Sequence, residues 1–174
     1  MNVHARRWSV LLLTGLGLAA LAWPLVHAPV ARIVYNPSDS VPLGWYRIGP
    51  PGSLQVGSIV LAHLPVKAAA LAAQRRYLPL GIPLLKRIGA RSPQRVCIQN
   101  HIVSIDGVAI ATALSVDGRG RSLPVWQHCR PLSDGELFLL SATNPASFDS
   151  RYFGPVAVTG VIGSAQPLWT WDTP

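Results

Sequence analysis

Two serine hydroxyls, Ser38 and Ser40, lie two residues apart in the segment Asn36-Pro37-Ser38-Asp39-Ser40-Val41-Pro42-Leu43-Gly44. A serine is a poor nucleophile until a base takes its proton. Ser, Asp and Pro are also ordinary turn residues, so by itself the segment is more simply a corner of the chain. A candidate base follows in Pro83-Leu84-Leu85-Lys86-Arg87-Ile88-Gly89. If Leu84, Leu85 and Ile88 carry Lys86 into an apolar site, its ammonium loses hydration and its pKa falls, and the neighbouring cation Arg87 pushes the same way. A lysine neutral near pH 7 can accept a serine proton. An exposed charge at a strand end is the plainer alternative. A third cluster, Asn144-Pro145-Ala146-Ser147-Phe148-Asp149-Ser150-Arg151-Tyr152-Phe153-Gly154-Pro155-Val156, crowds hydroxyls, a carboxylate and a guanidinium together. Asp149 and Arg151 suit a forked ion pair, and a capped turn before the last strand is the alternative.

The elements that must position these groups are mostly short strands. β-branched or apolar runs at 33–35, 44–48, 58–64, 96–98, 101–105, 136–140 and 155–163 are bounded by turn residues. Asp106-Gly107 predicts a hairpin leading into Val108-Ala109-Ile110. The Ala- and Leu-rich stretch Val66 to Tyr77 predicts one short helix with basic residues at its C-terminal end. A mainly β domain over 31–174 follows.

The N-terminal residues are of another kind. Residues 1–7 carry Arg6 and Arg7 with no acid, and from Trp8 to Val26 no residue is charged. A bilayer core needs roughly 20 apolar residues, so 8–30 is expected to be a single transmembrane helix. By the positive-inside rule the N-terminus is then cytoplasmic and the domain lies on the outer side, the periplasm of a bacterial inner membrane. A cleavable signal peptide is the rival, but the run is long for one and lacks a clean small-x-small site. The chain of 174 residues has a formal net charge of +8. No zinc-finger spacing, RNP-like motif or basic run interleaved with aromatics is present, so the charge points to lipid headgroups rather than to nucleic acid. Outside the membrane, Cys97 and Cys129 are expected to form a disulfide. Free thiols are the alternative, and the histidines supply no recognised zinc spacing. No metal or cofactor is called for. Trp169 and Trp171 suit either the headgroup level or the core.

Taken together, Ser-x-Ser-x-Pro behind the apolar run, the Leu-Lys-Arg-Ile-Gly strand and Ser-x-Asp-Ser-Arg-Tyr-Phe-Gly-Pro-Val resemble the boxes of the type I signal peptidases, in that family's order. Gly57-Ser58-Ile59-Val60 matches a further box between the first two. The resemblance covers about residues 33–163 and is greatest to the TraF branch, the peptidases of conjugative transfer. Asn-Pro-x-x-Ser-x-Pro-x-Gly-x-Tyr around Ser40, Tyr77-Leu78-Pro79-x-Gly81, Leu123-Pro124-x-Trp126 and Pro167-Leu168-Trp169-Thr170-Trp171 carry that likeness. There are departures. Ser58 stands where an acid is usual, Pro93-Gln94-Arg95 replaces a Pro-Gly-Asp turn, and Ala142-Thr143-Asn144 replaces a Gly-Asp-Asn start.

The resemblance implies a signal-peptidase-like antiparallel β fold and a Ser/Lys serine endopeptidase. Ser40 would attack and Lys86 would be the general base. Ser38 would form the oxyanion hole with the Ser40 N–H, Ser147 would orient the Lys86 amine, and Asp149 and Arg151 would brace that loop. The expected substrate is a pilin precursor, released by water or cyclised by its own amino terminus, with the bilayer and mating-channel components as further partners. A general signal peptidase acting on signal-peptide-bearing precursors and a non-enzymatic, membrane-tethered β scaffold are the two alternatives.

Overall fold

The computed structural model describes the backbone of residues 3–26 and 33–171, with side chains for 7–23 and 33–171. These fall into two compact units, Met1–Arg32 and Ile33–Pro174. The first unit contains α1 (Val3–Val26). Its Leu- and Ala-rich sequence has high helix propensity, and its described large apolar side chains, from Trp8 to Trp23, are exposed. Among the described residues no helix is long and apolar enough to cross a membrane. Residues 27–30, the far end of the expected anchor, lie outside the described residues.

The second unit is mainly β and antiparallel. Its strands are β1 (Ile33–Asn36), β2 (Leu43–Gly49), β3 (Ile59–Ala62), β4 (Leu84–Arg91), β5 (Arg95–Gln99), β6 (Ile102–Ile105), β7 (Val108–Thr112), β8 (Cys129–Pro131), β9 (Glu136–Leu139), β10 (Val156–Ala157) and β11 (Val161–Trp171). Seven form one sheet in the order β1-β2-β11-β3-β4-β9-β10, and four form a second in the order β7-β6-β5-β8. Strand periodicity explains the packing: in β2, Tyr46 and Ile48 point inward while Trp45 and Arg47 face out. The sheets share a core in which Ala90, Phe138 and Leu140 meet Val96, Ile98, Val103 and Ile105. Cys97 and Cys129 face each other across β5 and β8 and are joined by a disulfide.

The short helix, α2 (Val66–Gln74), stops before the basic residues expected to end it. Arg76 takes a left-handed φ of 58°, Tyr77 N donates to Ala72 O at 2.8 Å and Arg76 N to Ala73 O at 3.1 Å. That pair of bonds is a Schellman ending, here with Arg where glycine is usual.

The run 155–163, expected as one strand, is two. β10 pairs with β9, a 3-10 turn at Val158–Gly160 redirects the chain, and β11 enters between β2 and β3. β11 continues to Trp171 through an irregularity at Pro167 to Trp169. Trp169 and Trp171 are exposed and stacked on each other, not core residues. Gly163 makes this insertion feasible, because a Cβ there would run into the Gly49 carbonyl oxygen and sit 2.8 Å from Ile48 Cγ2. Backbone oxygen cannot swing aside, so Gly163→Ala is expected to cost at least about 2 kcal/mol, measured by denaturant unfolding.

Candidate active site

β1 and β2 are antiparallel neighbours, and the loop 37–42 between them carries both serines. Asn36, at the end of β1, is buried beneath this loop. Its Nδ2 donates to the carbonyls of Ser38 (2.6 Å), Val41 (3.0 Å) and Pro42 (3.2 Å). Its Oδ1 accepts from Ser38 N at 3.3 Å and Ser38 Oγ at 2.9 Å. Tyr46 reaches back from β2 to donate its hydroxyl to Pro42 O at 2.6 Å. Ser40 is 6% exposed. Its Oγ lies 3.1 Å from Ser38 Oγ and 3.5 Å from the carbonyl oxygen of Leu85 on β4. Among the described residues no backbone hydrogen bond runs from the Ser40 N–H.

β4 lies inside the sheet between β3 and β9, and its consecutive residues Leu85 and Lys86 are both buried, one on each face of the strand. Leu85 joins the core of Val41, Tyr46, Ile48, Leu61 and Ala165. Lys86, pointing the opposite way, is 6% exposed. Its Nζ donates to Ser147 Oγ at 2.6 Å, and among the described residues it makes no hydrogen bond to Ser40. Burial lowers the Lys86 pKa to about 8. The Asp149 carboxylate opposes that shift, the Arg151 guanidinium adds to it, and Asp39 opposes it. The cation that assists is therefore Arg151 and not the sequence neighbour Arg87. Arg87 alternates to the exposed side of β4, where its Nη1 donates to Gly57 O at 2.6 Å.

Ser147 is delivered by the segment between β9 and α3 (Ser150–Phe153). Arg151 and Asp149, 1% and 0% exposed, form a bidentate pair with Nε–Oδ1 and Nη2–Oδ2 both at 2.8 Å. Arg151 Nη1 donates to Thr112 O at 2.9 Å, and the second Nη2 hydrogen is shared between the carbonyls of Asn144 (2.9 Å) and Ser147 (3.2 Å). Asp149 also accepts from Ser141 N at 3.0 Å and caps α3 through Arg151 N at 3.1 Å. A buried ion pair survives where its leftover polar positions are filled, and here the fillers are the backbone of the Ser147 loop. Asn144 Nδ2 donates to Asp39, tying this loop to the serine loop.

The three segments singled out in the sequence thus converge on β4. Ser38, Ser40, Lys86, Ser147, Asp149 and Arg151 lie in one connected neighbourhood, whereas Cys97 and Cys129 are on the other sheet. Sequence reasoning gave no role to Asn36, Tyr46 and Asn144, which stand in its motifs, and did not single out Ser141. Asn36 did carry a signal, since an Asn before Pro at a strand end is a strong turn former. The Ser38 hydroxyl, which the resemblance assigns to the oxyanion hole, is engaged here with Asn36 and Ser40.

The signal peptidase family model, peptidase S26, matches residues 5–171. The chain belongs to the signal peptidase family. This makes it a serine peptidase of the signal peptidase type, and its relatives place it with the TraF-type members. A conjugal transfer protein TraF of Agrobacterium fabrum is 36% identical over 147 residues, 79% of this chain and 82% of its own. Another, of Agrobacterium tumefaciens, is 35% identical over 183 residues, covering 95% of this chain and 97% of its own. A plasmid transfer protein TraF of Escherichia coli is 28% identical over 156 residues, covering 83% and 85%. The crystal structure of a signal peptidase I from Enterococcus faecalis superposes with a TM-score of 0.41 at 20% identity, over 66% of this chain and 97% of that one.

A lysine whose pKa falls on folding carries a stability cost. Below pH 8 the folded chain must hold a charge that burial penalises. From about 8 up to the ordinary value of 10.5 the unfolded chain binds the extra proton, so stability rises with pH. Lys86→Met is expected to raise stability at pH 7 by about 1–3 kcal/mol, the depressed pKa less the lost Ser147 bond. Chemical denaturation at pH 7 and pH 10 checks it, and the advantage should shrink at the higher pH.

Proposed function

We propose that this signal peptidase family member is a membrane-anchored serine endopeptidase in which Ser40 is the nucleophile and Lys86 its general base, and that it matures a pilin precursor for conjugative transfer. The observation that carries the reading is a buried serine whose Oγ lies 3.5 Å from the carbonyl oxygen of Leu85, the residue before a buried lysine whose pKa is lowered to about 8. The conjugative role is supported by the names of the relatives, conjugal and plasmid transfer proteins. Those names also favour it over general signal-peptide removal.

In this mechanism Ser40 Oγ attacks the carbonyl carbon of an extended peptide laid along a strand edge, and Lys86 takes the hydroxyl proton. The Ser40 N–H and the Ser38 hydroxyl stabilise the tetrahedral oxyanion. The C–N bond then breaks, the leaving amine takes the proton from Lys86, and an ester on Ser40 remains. Water, or the amino terminus of the pilin itself, attacks that ester. The second route closes a peptide bond and frees Ser40. Ser147 accepts one Lys86 N–H, which leaves the amine lone pair for Ser40. Such dyad bonds are often long in the free enzyme and tighten on the substrate.

Residues 8–30 are proposed as the membrane anchor, with 1–7 cytoplasmic and the domain periplasmic, where mating-channel components would be neighbours. The uncharged run from Trp8 to Val26 comes close to the roughly 20 residues a bilayer core needs.

Ser40→Ala and Lys86→Ala should each abolish precursor cleavage in membranes without loss of folding. Lys86→Arg should fail as well, because a guanidinium supplies no neutral base. Near-normal cleavage by any of the three sinks the dyad. The wild-type kcat/KM should climb about tenfold per pH unit below pH 8 and level off above it, as Lys86 loses its proton. Mass spectrometry of the processed pilin separates the two product routes, since the cyclic form is lighter than the linear one by one water.

A further inference from the structure

We propose that Asn36 is a positioning residue of the peptidase: its side-chain amide sets the direction of the Ser38 and Ser40 hydroxyls and holds the nucleophile's proton on the Ser38 side until substrate binds. The inference rests on Ser40 as nucleophile and adds how that serine is kept at rest.

The orientation of the Asn36 amide follows from its surroundings. Nδ2 faces three carbonyl oxygens, those of Ser38, Val41 and Pro42, which can only accept. Oδ1 faces the Ser38 N–H and the Ser38 hydroxyl, which can donate. The reverse assignment would set an oxygen against three oxygens. Ser38 has one hydroxyl hydrogen, and at 2.9 Å it goes to Asn36 Oδ1. Ser38 Oγ then meets Ser40 Oγ, 3.1 Å away, as acceptor only. The Ser40 proton therefore points to Ser38. The other oxygen within reach, Leu85 O at 3.5 Å, is too distant to compete. Lys86 stands outside this chain of bonds, with its amine on Ser147.

The arrangement stores the site one step from reaction. As the oxyanion forms, the Ser38 hydrogen turns from Asn36 to the oxyanion, and the Ser40 hydrogen turns from Ser38 to Lys86. Asn36 keeps its bonds to Ser38 N and to the three carbonyls throughout, so the loop 37–42 stays in place while the hydroxyls rotate. The burial of Asn36 makes this costly to replace, because the loop carbonyls have few other donors.

The test is a double-variant cycle on full-length enzyme in membranes, with the pilin precursor as substrate. Asn36→Ala is expected to lower kcat about tenfold or more with KM changed no more than about twofold. Added to Ser38→Ala, it should cost clearly less than it does alone, since the hydroxyl the two residues share is already gone and only the loop bonds of Asn36 are left to lose. Losses that multiply in the double variant, or an unchanged kcat in Asn36→Ala, overturn the inference. If Asn36→Ala does not fold, Asn36→Leu, which fills the buried volume without a polar atom, is taken through the same cycle and judged by the same outcomes. Ser40→Ala is run beside it. Cleavage by Ser40→Ala removes the nucleophile assignment itself, whereas an inert Ser40→Ala with multiplying losses removes only the role of Asn36.

Discussion

A lysine side chain cut off from water requires one hydrogen-bond partner, a lid against solvent and a surrounding field that does not hold its proton too tightly. Much of the architecture around β4 answers to that requirement. Lys86 is buried on one face of the strand while Leu85 packs into the core on the other. The partner is the hydroxyl of Ser147. Ser147 is held in reach by a guanidinium that spends its hydrogens on the backbone of the same loop. Asp149 neutralises that guanidinium and so keeps it in place. At Lys86, Asp149 and Asp39 favour the ammonium, and burial together with Arg151 outweighs them.

Ser40, the proposed nucleophile, is held by different means. No buried charge is used. A neutral amide gathers the loop carbonyls, a phenol from β2 fastens Pro42, and an apolar neighbour, Val41, anchors the corner in the core. A neutral clamp suits this position, because a carboxylate beneath two serines would hold the Lys86 proton more firmly. The two loops meet through Asn144 and Asp39, 105 residues apart in sequence, so the separate clamps act on a common frame.

What the sequence disclosed was whatever depends on local pattern. Alternation marked β2, β5 and β6, Asp106-Gly107 marked a hairpin, and the Ala-rich run marked α2. The apolar flanks of Lys86 allowed for its burial but left an exposed strand-end charge as the plainer reading. What stayed hidden depends on which distant segment arrives alongside. Arg87, adjacent in sequence, was the evident cation near Lys86, yet strand alternation turns it outward and Arg151 fills the role from another loop. The break at Val158–Gly160 was hidden because Val158 and Thr159 are strand formers that continue the β pattern across it. β8 is three residues ending in proline, and its pairing with β5 is fixed by tertiary contact. Asn36 looked like any turn asparagine, since its burial is decided by the sheet packed around it.

The spacing of the three groups along the chain bears on how the protein behaves before it is folded. Ser40 approaches the Leu85 carbonyl across 45 residues, and Lys86 bonds Ser147 across 61. Neither contact forms locally, and closing loops of that length belongs to the slower part of folding. Until Lys86 is buried it is hydrated and holds its proton as tightly as any exposed lysine. On the proposed mechanism a nascent or partly assembled chain would therefore be chemically silent. Its reactivity would arrive together with the completed sheet, so the architecture would serve in place of a removable propeptide.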